Sequence, residues 1–388
     1  MSQPLSEPDL ESHLPSLDGL RGLAILGVMF YHMTVLTSRT PLDLFYRKIT
    51  ECGAYGVDLF FVLSGFLITG ILYDSKKASH FFRNFYARRT VRIFPLYYAV
   101  VFFCLVILPH IPNSKSARFG SIAGDEIWYC TYLSNFIIAY RNQWRHGILD
   151  ISWTLSIEEQ FYLLWPLAVF LFSRRTLQYL CLALIAIAIL TRTTMVLTHS
   201  SSLATILITP SKFDALGIGA LIALTVRQTG VLPWLKIARL TFPLALLSFI
   251  LIFSLGRGNW DAPLMLCVGY TSLALTFGSF LLLSLPSPTP IPFLTSPPLR
   301  TLGKYSYAMY LFHLPLRGLL RDRVYKPSHF LTLHGSQLPG QLLFYPLAIL
   351  FTLAAAMLSW HLYEKHFLKL KRFFPTPTAH HSEPAASL

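Results

Sequence analysis

Charge is what this sequence lacks. Of its 388 residues only 13% are Asp, Glu, Lys or Arg, whereas 54% are hydrophobic and the mean hydropathy is +0.52. A soluble domain of that length needs far more charged surface, so the composition excludes one. Acidic residues are the scarcer sign, 18 against 32 Lys and Arg. No stretch is long or polar enough to gather the basic excess into a soluble domain, which argues against nucleic acid as a partner. Basic residues flanking apolar runs instead mark a protein held against anionic membrane lipids. Cysteine is sparse too. Cys52, Cys104, Cys130, Cys181 and Cys267 are scattered with no CxxC pair, which supports neither a disulfide framework nor a metal site. The leader carries Glu7, Asp9 and Glu11 and no Lys or Arg, the reverse of a cleavable signal peptide, so the first helix is expected to stay in the mature protein.

What is present is a series of apolar runs. Ten reach the roughly twenty residues needed to span a bilayer: 17–36, 54–73, 93–110, 156–173, 177–197, 210–226, 237–255, 262–284, 302–320 and 341–363. The fold class they predict is all-α, a polytopic integral membrane bundle of about ten transmembrane helices. The stretch 127–140 is too short and too polar to span and reads as a re-entrant or surface helix. Basic residues weight one side of the bundle, above all at 76–92, and that side is expected to be cytoplasmic together with both termini. Residues 1–13 read as a polar tail, 14–366 as the membrane domain, and 367–388 as a basic and then disordered tail. The Pro-rich stretch 285–298 reads as a stiff connector between the eighth and ninth spans.

Ionisable side chains inside such spans cost a few kcal/mol each, so each asks for a reason. Arg21 and His32 bracket the first span. They are eleven residues apart, which returns within about 20° of one helical face while separating them by about 16 Å along the axis. They cannot touch, but could grip two ends of one elongated ligand. Asp58, Glu158 and Glu159 open later spans at about the depth of His32, Asp214 opens the sixth, and His313 lies in the ninth. A histidine beside carboxylates is raw material for a base whose tautomer is set by an acid. On the other side, residues 80–94 form an amphipathic stretch in which Arg88 and Arg92 share a face, with Arg89 beside them. Paired guanidinium forks suit phosphate groups. Each has a plainer reading. The 80–94 stretch could be a positive-inside anchor, Asp18 and Arg21 an i,i+3 ion pair, His313 a packing residue bonded to a carbonyl, and Glu159 and Asp214 helix caps.

The wording of these motifs resembles acyltransferase family 3, membrane-bound enzymes that modify bacterial glycans and sugars. LDGLRGLAILGVMFYH, GVDLFFVLSGFLI at 56–68, FYARRTVRIFPLYY at 85–98, SWTLSIEEQFYLLWP at 152–166 and SYAMYLFHLP at 306–315 match the family's motifs in order. The resemblance implies a multi-pass protein of the bacterial inner membrane that transfers an acyl group from acyl-CoA, by default acetyl-CoA, to a sugar, glycan or glycolipid. CoA is then a co-substrate, with no bound cofactor. It further implies that His32 is the catalytic base or acyl carrier, that Glu158 or Asp58 orients it, and that Arg21, Arg88, Arg89 and Arg92 bind the donor. Tyr307 and His313 are further candidates from the penultimate span. Some relatives append a soluble esterase-like domain. No segment of that kind is found here, so the membrane domain is expected to complete the transfer itself or with a separate partner. The competing reading is a transporter or proton- or ion-coupled channel that uses the same buried charges.

Overall fold

In lipid every backbone N–H and C=O must be bonded within its own segment, so apolar runs of this kind can only become helices. The computed structural model describes residues 5–10, 12–110, 124–144, 147–286, 288–289 and 291–375. The start of the polar leader (1–4), Glu11, Pro290 of the connector, and the tail at 376–388 with the disorder expected of it lie outside the described residues.

In chain order the helices begin with α1 (Pro15–His32), α2 (Pro41–Glu51), α3 (Gly56–Asp74) and α4 (Phe81–Phe102). Two short pieces follow, α5 (Glu126–Cys130) and α6 (Ser134–Arg141), then α7 (Ser152–Leu171), α8 (Arg174–Leu197) and the short α9 (Ser202–Leu207). The second half runs α10 (Phe213–Thr229), α11 (Leu235–Leu255), α12 (Tyr270–Ser284), α13 (Pro297–Leu319), α14 (Leu338–Ser359) and the single turn α15 (Lys365–Leu368). Among the described residues no named strand occurs, and the regular structure there is all helical.

Among the described residues six stretches are long and apolar enough to cross a membrane: Pro41–Asp74, Phe81–Ile107, Arg174–Leu197, Leu232–Leu255, Met265–Ser284 and Leu338–Phe373. The protein is therefore multi-pass. The other four long helices coincide with expected spans but are shorter or more polar. Helix α1 carries Asp18, Arg21 and His32, α7 carries Glu158 and Glu159, and α13 carries Arg300, Lys304, His313 and Arg317. Helix α10 has only 17 residues and holds Asp214 and Arg227. The outward apolar surface is supplied largely by α8 and α11, while α3 is buried along most of its length. The stretch 127–140 is indeed no span. It breaks at Thr131–Leu133 into α5 and α6, and Ser134 and Asn135 are buried against α7 and α9.

Two helix pairs form the centre, α3 with α10 and α1 with α13. With no hydrophobic drive between helices in lipid, close packing supplies the attraction, and small residues permit it. Gly219 of α10 sits against the Val62 carbonyl of α3, and Gly303 of α13 against the Asp18 carbonyl of α1. A β-carbon at either place would collide with backbone, which cannot yield as a flexible side chain can. At Gly318, further along the same α13, an added β-carbon meets nothing within 4 Å. The two positions should therefore respond with opposite sign. Gly303→Ala is expected to destabilise by about 1–3 kcal/mol through overpacking, while Gly318→Ala is neutral or stabilises by up to about 1 kcal/mol through helix propensity. Thermal unfolding of the purified variants in one detergent measures both.

Candidate active site

His32 is the last residue of α1, and its place is fixed from three directions. Gln341 of α14 accepts from the Val35 N–H (2.8 Å) and donates to the Met33 carbonyl (3.0 Å), stitching down the chain as it leaves the helix. Arg317 of α13 donates to the His32 carbonyl (2.7 Å), placing a cation at the helix C-terminus, where it is favoured. The ring itself meets His313: His32 Nδ1 lies 3.1 Å from His313 Nε2 and 3.1 Å from the Val28 carbonyl. His313 is buried, and its Nδ1 lies 2.6 Å from the Tyr310 carbonyl.

These distances assign the protons of the neutral pair. A carbonyl can only accept, so His313 Nδ1 carries hydrogen and donates to Tyr310. Neutral His313 Nε2 is then a bare acceptor, and His32 Nδ1 must be the donor to it. What is left on His32 is an Nε2 lone pair with no hydrogen-bond partner among the described residues. Tyr310 completes the support, its hydroxyl bonded to Thr154 (2.8 Å) and to the Ile151 carbonyl (3.0 Å) at the start of α7.

The carboxylates expected to orient His32 are bonded elsewhere. Asp58 is buried and paired with Lys212 at 2.7 Å, and the Lys212 ammonium lies 4.2 Å from the Tyr270 ring centre. Glu158 accepts from Ser64 (2.7 Å), whose oxygen is 2.7 Å from the Tyr162 hydroxyl. Ser64 has one hydrogen, given to Glu158, so Tyr162 donates to Ser64. Asp214 is held by buried Arg192 (2.7 Å) and Thr271 (2.7 Å). The remaining Arg192 donors reach the Ser211 carbonyl and the Leu266 carbonyl, the latter in the π-helical turn Met265–Gly269 that opens α12.

The arginines gather around a second space. Arg21 pairs with Asp18 at 3.0 Å, as the i,i+3 spacing allows, yet also faces a cavity of about 230 Å³ with Arg89, Arg92, Ser64 and Glu158. Arg89 packs its guanidinium over Phe85 and Tyr162, each centre 5.8 Å away. Tyr307 lines the same cavity and donates to the Ile93 carbonyl at 2.7 Å. Arg88 lies outside it and donates to the Phe374 carbonyl at 2.9 Å. His32 opens on a different cavity, of about 410 Å³, shared with Asp58, Lys212, Arg317, Trp144 and Trp260. The arginine chamber and the histidine chamber have two wall residues in common, Val57 and Tyr310. The structure thus brings His32 together with His313 and Arg21 together with Arg89, Arg92 and Glu158. It does not put Glu158 beside His32.

Reading the sequence missed Lys212 and Arg317, which line the histidine chamber, and Arg192, which pairs with Asp214 behind it. Each is a cation inside an apolar run, the same signal that singled out Arg21, and Arg192 sits in the last third of 177–197.

A membrane bundle that sets a coupled histidine pair in one chamber beside a second, cation-lined one has the parts that group transfer needs. A family model described as an acyltransferase domain matches residues 14–361, and the chain belongs to that family. It is 28% identical over 322 residues to the O-acetyltransferase OatA of Staphylococcus aureus (strain NCTC 8325 / PS 47), covering 78% of this chain and 50% of that protein. It is 32% identical over 170 residues to the peptidoglycan O-acetyltransferase OatA of Listeria monocytogenes serovar 1/2a, covering 42% of this chain and 25% of that protein. A third relative is the putative peptidoglycan O-acetyltransferase YrhL of Bacillus subtilis (strain 168), 33% identical over 163 residues, 40% of this chain and 23% of that one. The chain thus spans half the length or less of these relatives, and each match speaks for only part of them. No solved structure matches the chain.

The Asp58–Lys212 pair makes a test that separates a structural carboxylate from a catalytic one. Removing one partner of a buried pair strands the other charge, at about 3–5 kcal/mol. Asp58→Asn should therefore lower stability by that order, and Asp58→Asn with Lys212→Met should recover much of it, measured by thermal unfolding in detergent. Full stability in the single variant would show that the pair does not hold the bundle.

Proposed function

We propose that the chain is a membrane-bound O-acyltransferase, an O-acetyltransferase, that carries an acyl group from acyl-CoA at the cytoplasmic face to a saccharide hydroxyl outside the bacterial inner membrane. Peptidoglycan is the acceptor that two relatives' names suggest. The observation that carries the reading is the pair of chambers meeting at Val57 and Tyr310, one lined by Arg21, Arg89 and Arg92 and the other by His32. In this reading the ten long helices all span, both termini are cytoplasmic, and the arginine chamber faces inward. The arginines hold the anionic donor while its acyl end reaches the wall shared with the histidine chamber.

His32 Nε2 then takes the proton of the acceptor hydroxyl as its oxygen attacks the thioester carbonyl. The C–O bond forms, the C–S bond breaks, and the imidazolium returns its proton to the departing thiolate. His313 acts by position: as acceptor for His32 Nδ1–H it keeps the lone pair on the side of the substrate, the part a carboxylate plays in a triad. Trp144, Trp153 and Trp260 give the histidine chamber flat apolar faces, and Glu51 and Asp150 give it acceptors for hydroxyls, the mixture a sugar needs. A transporter would need its buried carboxylates free to titrate or bind ions. Here Asp58 and Asp214 are closed on Lys212 and Arg192, and with the match to an acyltransferase domain that reading is not favoured.

Two experiments test this. His32→Ala in proteoliposomes supplied with labelled acetyl-CoA and glycan strands should lose about 10²–10⁴ in transfer rate. His313→Gln, whose amide oxygen can accept the same proton, should keep more kcat than His313→Leu with the donor KM unchanged in both. Equal kcat in the two would remove His313 from the mechanism. Sidedness is checked separately, in a background without the five native cysteines. Phe45→Cys should react with an impermeant thiol reagent in whole cells, and Lys76→Cys should not. The reverse labelling would place His32 on the cytoplasmic side and end the idea of passage across the bilayer.

A further inference from the structure

The entrance to the arginine chamber divides into two lobes on either side of exposed Arg92. One, of about 300 Å³, is lined by Arg88, Arg89, Arg92 and Lys371. It is already occupied at the rim by the chain's own backbone. Arg88 donates to the Phe374 carbonyl at 2.9 Å, and Asn84 to the Pro375 carbonyl at 2.9 Å. Those are the donors a phosphate would require.

The other lobe, of about 530 Å³, is lined by Arg21, Arg92, Arg300, Lys304 and Trp360 and keeps Arg300 and Lys304 open. Arg300 Nε is buried with no hydrogen-bond partner, and neither Arg300 nor Lys304 has an ion pair among the described residues. The Lys304 ammonium rests over Tyr305 and Trp360, 5.1 and 5.6 Å from their ring centres. The acid in this lobe, Asp18, is taken by Arg21 at 3.0 Å and His13 at 2.7 Å. Two uncompensated cations beside an indole face, next to the mouth of a chamber, are the donor set for a phosphorylated nucleoside.

We infer that this lobe receives the nucleotide end of the donor, with Arg300 and Lys304 on the ribose phosphate and Trp360 against the adenine. Arg88 is then a tether for the segment Lys371–Pro375 rather than a phosphate ligand. The inference rests on the acyl-CoA reading and adds the chemistry of that molecule. Its pyrophosphate adjoins the pantetheine arm that enters the chamber, so it falls to Arg21 and Arg92 at the rim common to chamber and lobe. The separate 3′-phosphate and the base lie further out, where Arg300, Lys304 and Trp360 stand.

The test uses the purified full chain in phosphatidylcholine nanodiscs and compares equilibrium binding of CoA and 3′-dephospho-CoA. The wild type should prefer CoA by about ten- to a hundredfold, the value of one charge-assisted contact. Arg300→Gln with Lys304→Gln should erase most of that preference while leaving the affinity for 3′-dephospho-CoA intact, which also shows that the variant is folded. Trp360→Leu should weaken both nucleotides by a similar factor and leave 4′-phosphopantetheine unaffected. A wild type that binds both nucleotides equally, or a double variant that keeps the preference, overturns the inference while leaving the donor reading standing. If the double variant keeps the preference but loses stabilisation by phosphatidylglycerol, the lobe serves lipid headgroups and the inference fails. Binding of neither nucleotide by the wild type overturns the donor reading and this inference together.

Discussion

The close seam between α1 and α13 is the constraint on which the rest of the site hangs. At one end Gly303 lets the α13 backbone lie directly against the Asp18 carbonyl, and at the other His313 meets His32. The two helices run in the same direction, so contact at the first end sets the depth at which the imidazoles face each other. A hydrogen bond of 3.1 Å tolerates only tenths of an ångström. A bulkier residue at Gly303 would therefore act on the chemistry without touching the reacting groups. The same seam carries Arg317 to the end of α1, where it holds the His32 carbonyl.

Around that seam two groups of polar side chains stand apart. Asp58 with Lys212 and Asp214 with Arg192 are closed pairs, desolvated and matched, and their remaining contacts go to Tyr270, Thr271 and backbone carbonyls. Such pairs add little net stability over an apolar packing, but they are costly to break and fix how helices register. The second group is unmatched: the Nε2 of His32, and Arg92, Arg300 and Lys304 at the opposite mouth. These open groups line the lobe and the histidine chamber, where on the proposed reading their partners arrive with the substrates. Unpaired charge is thus a better guide to the site here than buried charge.

The division also explains what the sequence made legible and what it hid. All ten expected runs became long helices, because apolar length and the backbone's need for internal bonds leave no other outcome. Only six meet a strict test of length and apolarity, since α1, α7 and α13 carry the polar residues of the site and α10 is one turn short of comfort. His32 and the arginine run were visible as charges at helical spacing in apolar surroundings. Their partners were not. Asp58 finds Lys212 from another helix far along the chain, and His32 finds His313 from the opposite end of it. Depth alone placed Asp58, Glu158 and His32 together, but depth is one coordinate of three, and the helix rotations that put Glu158 in the arginine chamber are set by packing.

A wall shared by two chambers has a chemical consequence if donor and acceptor enter from opposite sides. The donor's charged end is held at the cations and cannot follow its acyl end through an apolar partition without losing those contacts. The acyl end and the slender arm behind it are close to neutral and can approach Val57 and Tyr310 at little cost. Tyr310 stands at the crossing point. Its side chain is anchored to α7 through Thr154 and Ile151, and its carbonyl receives His313 Nδ1–H, which fixes the lone pair of His32 through one more bond. One of the two residues of the partition is therefore also the one that, in the proposed mechanism, sets the base. Opening the wall by shifting Tyr310 with its backbone would disturb the proton arrangement that transfer needs, so on this reading passage and catalysis are coupled through a single residue rather than through a hinge of the whole bundle.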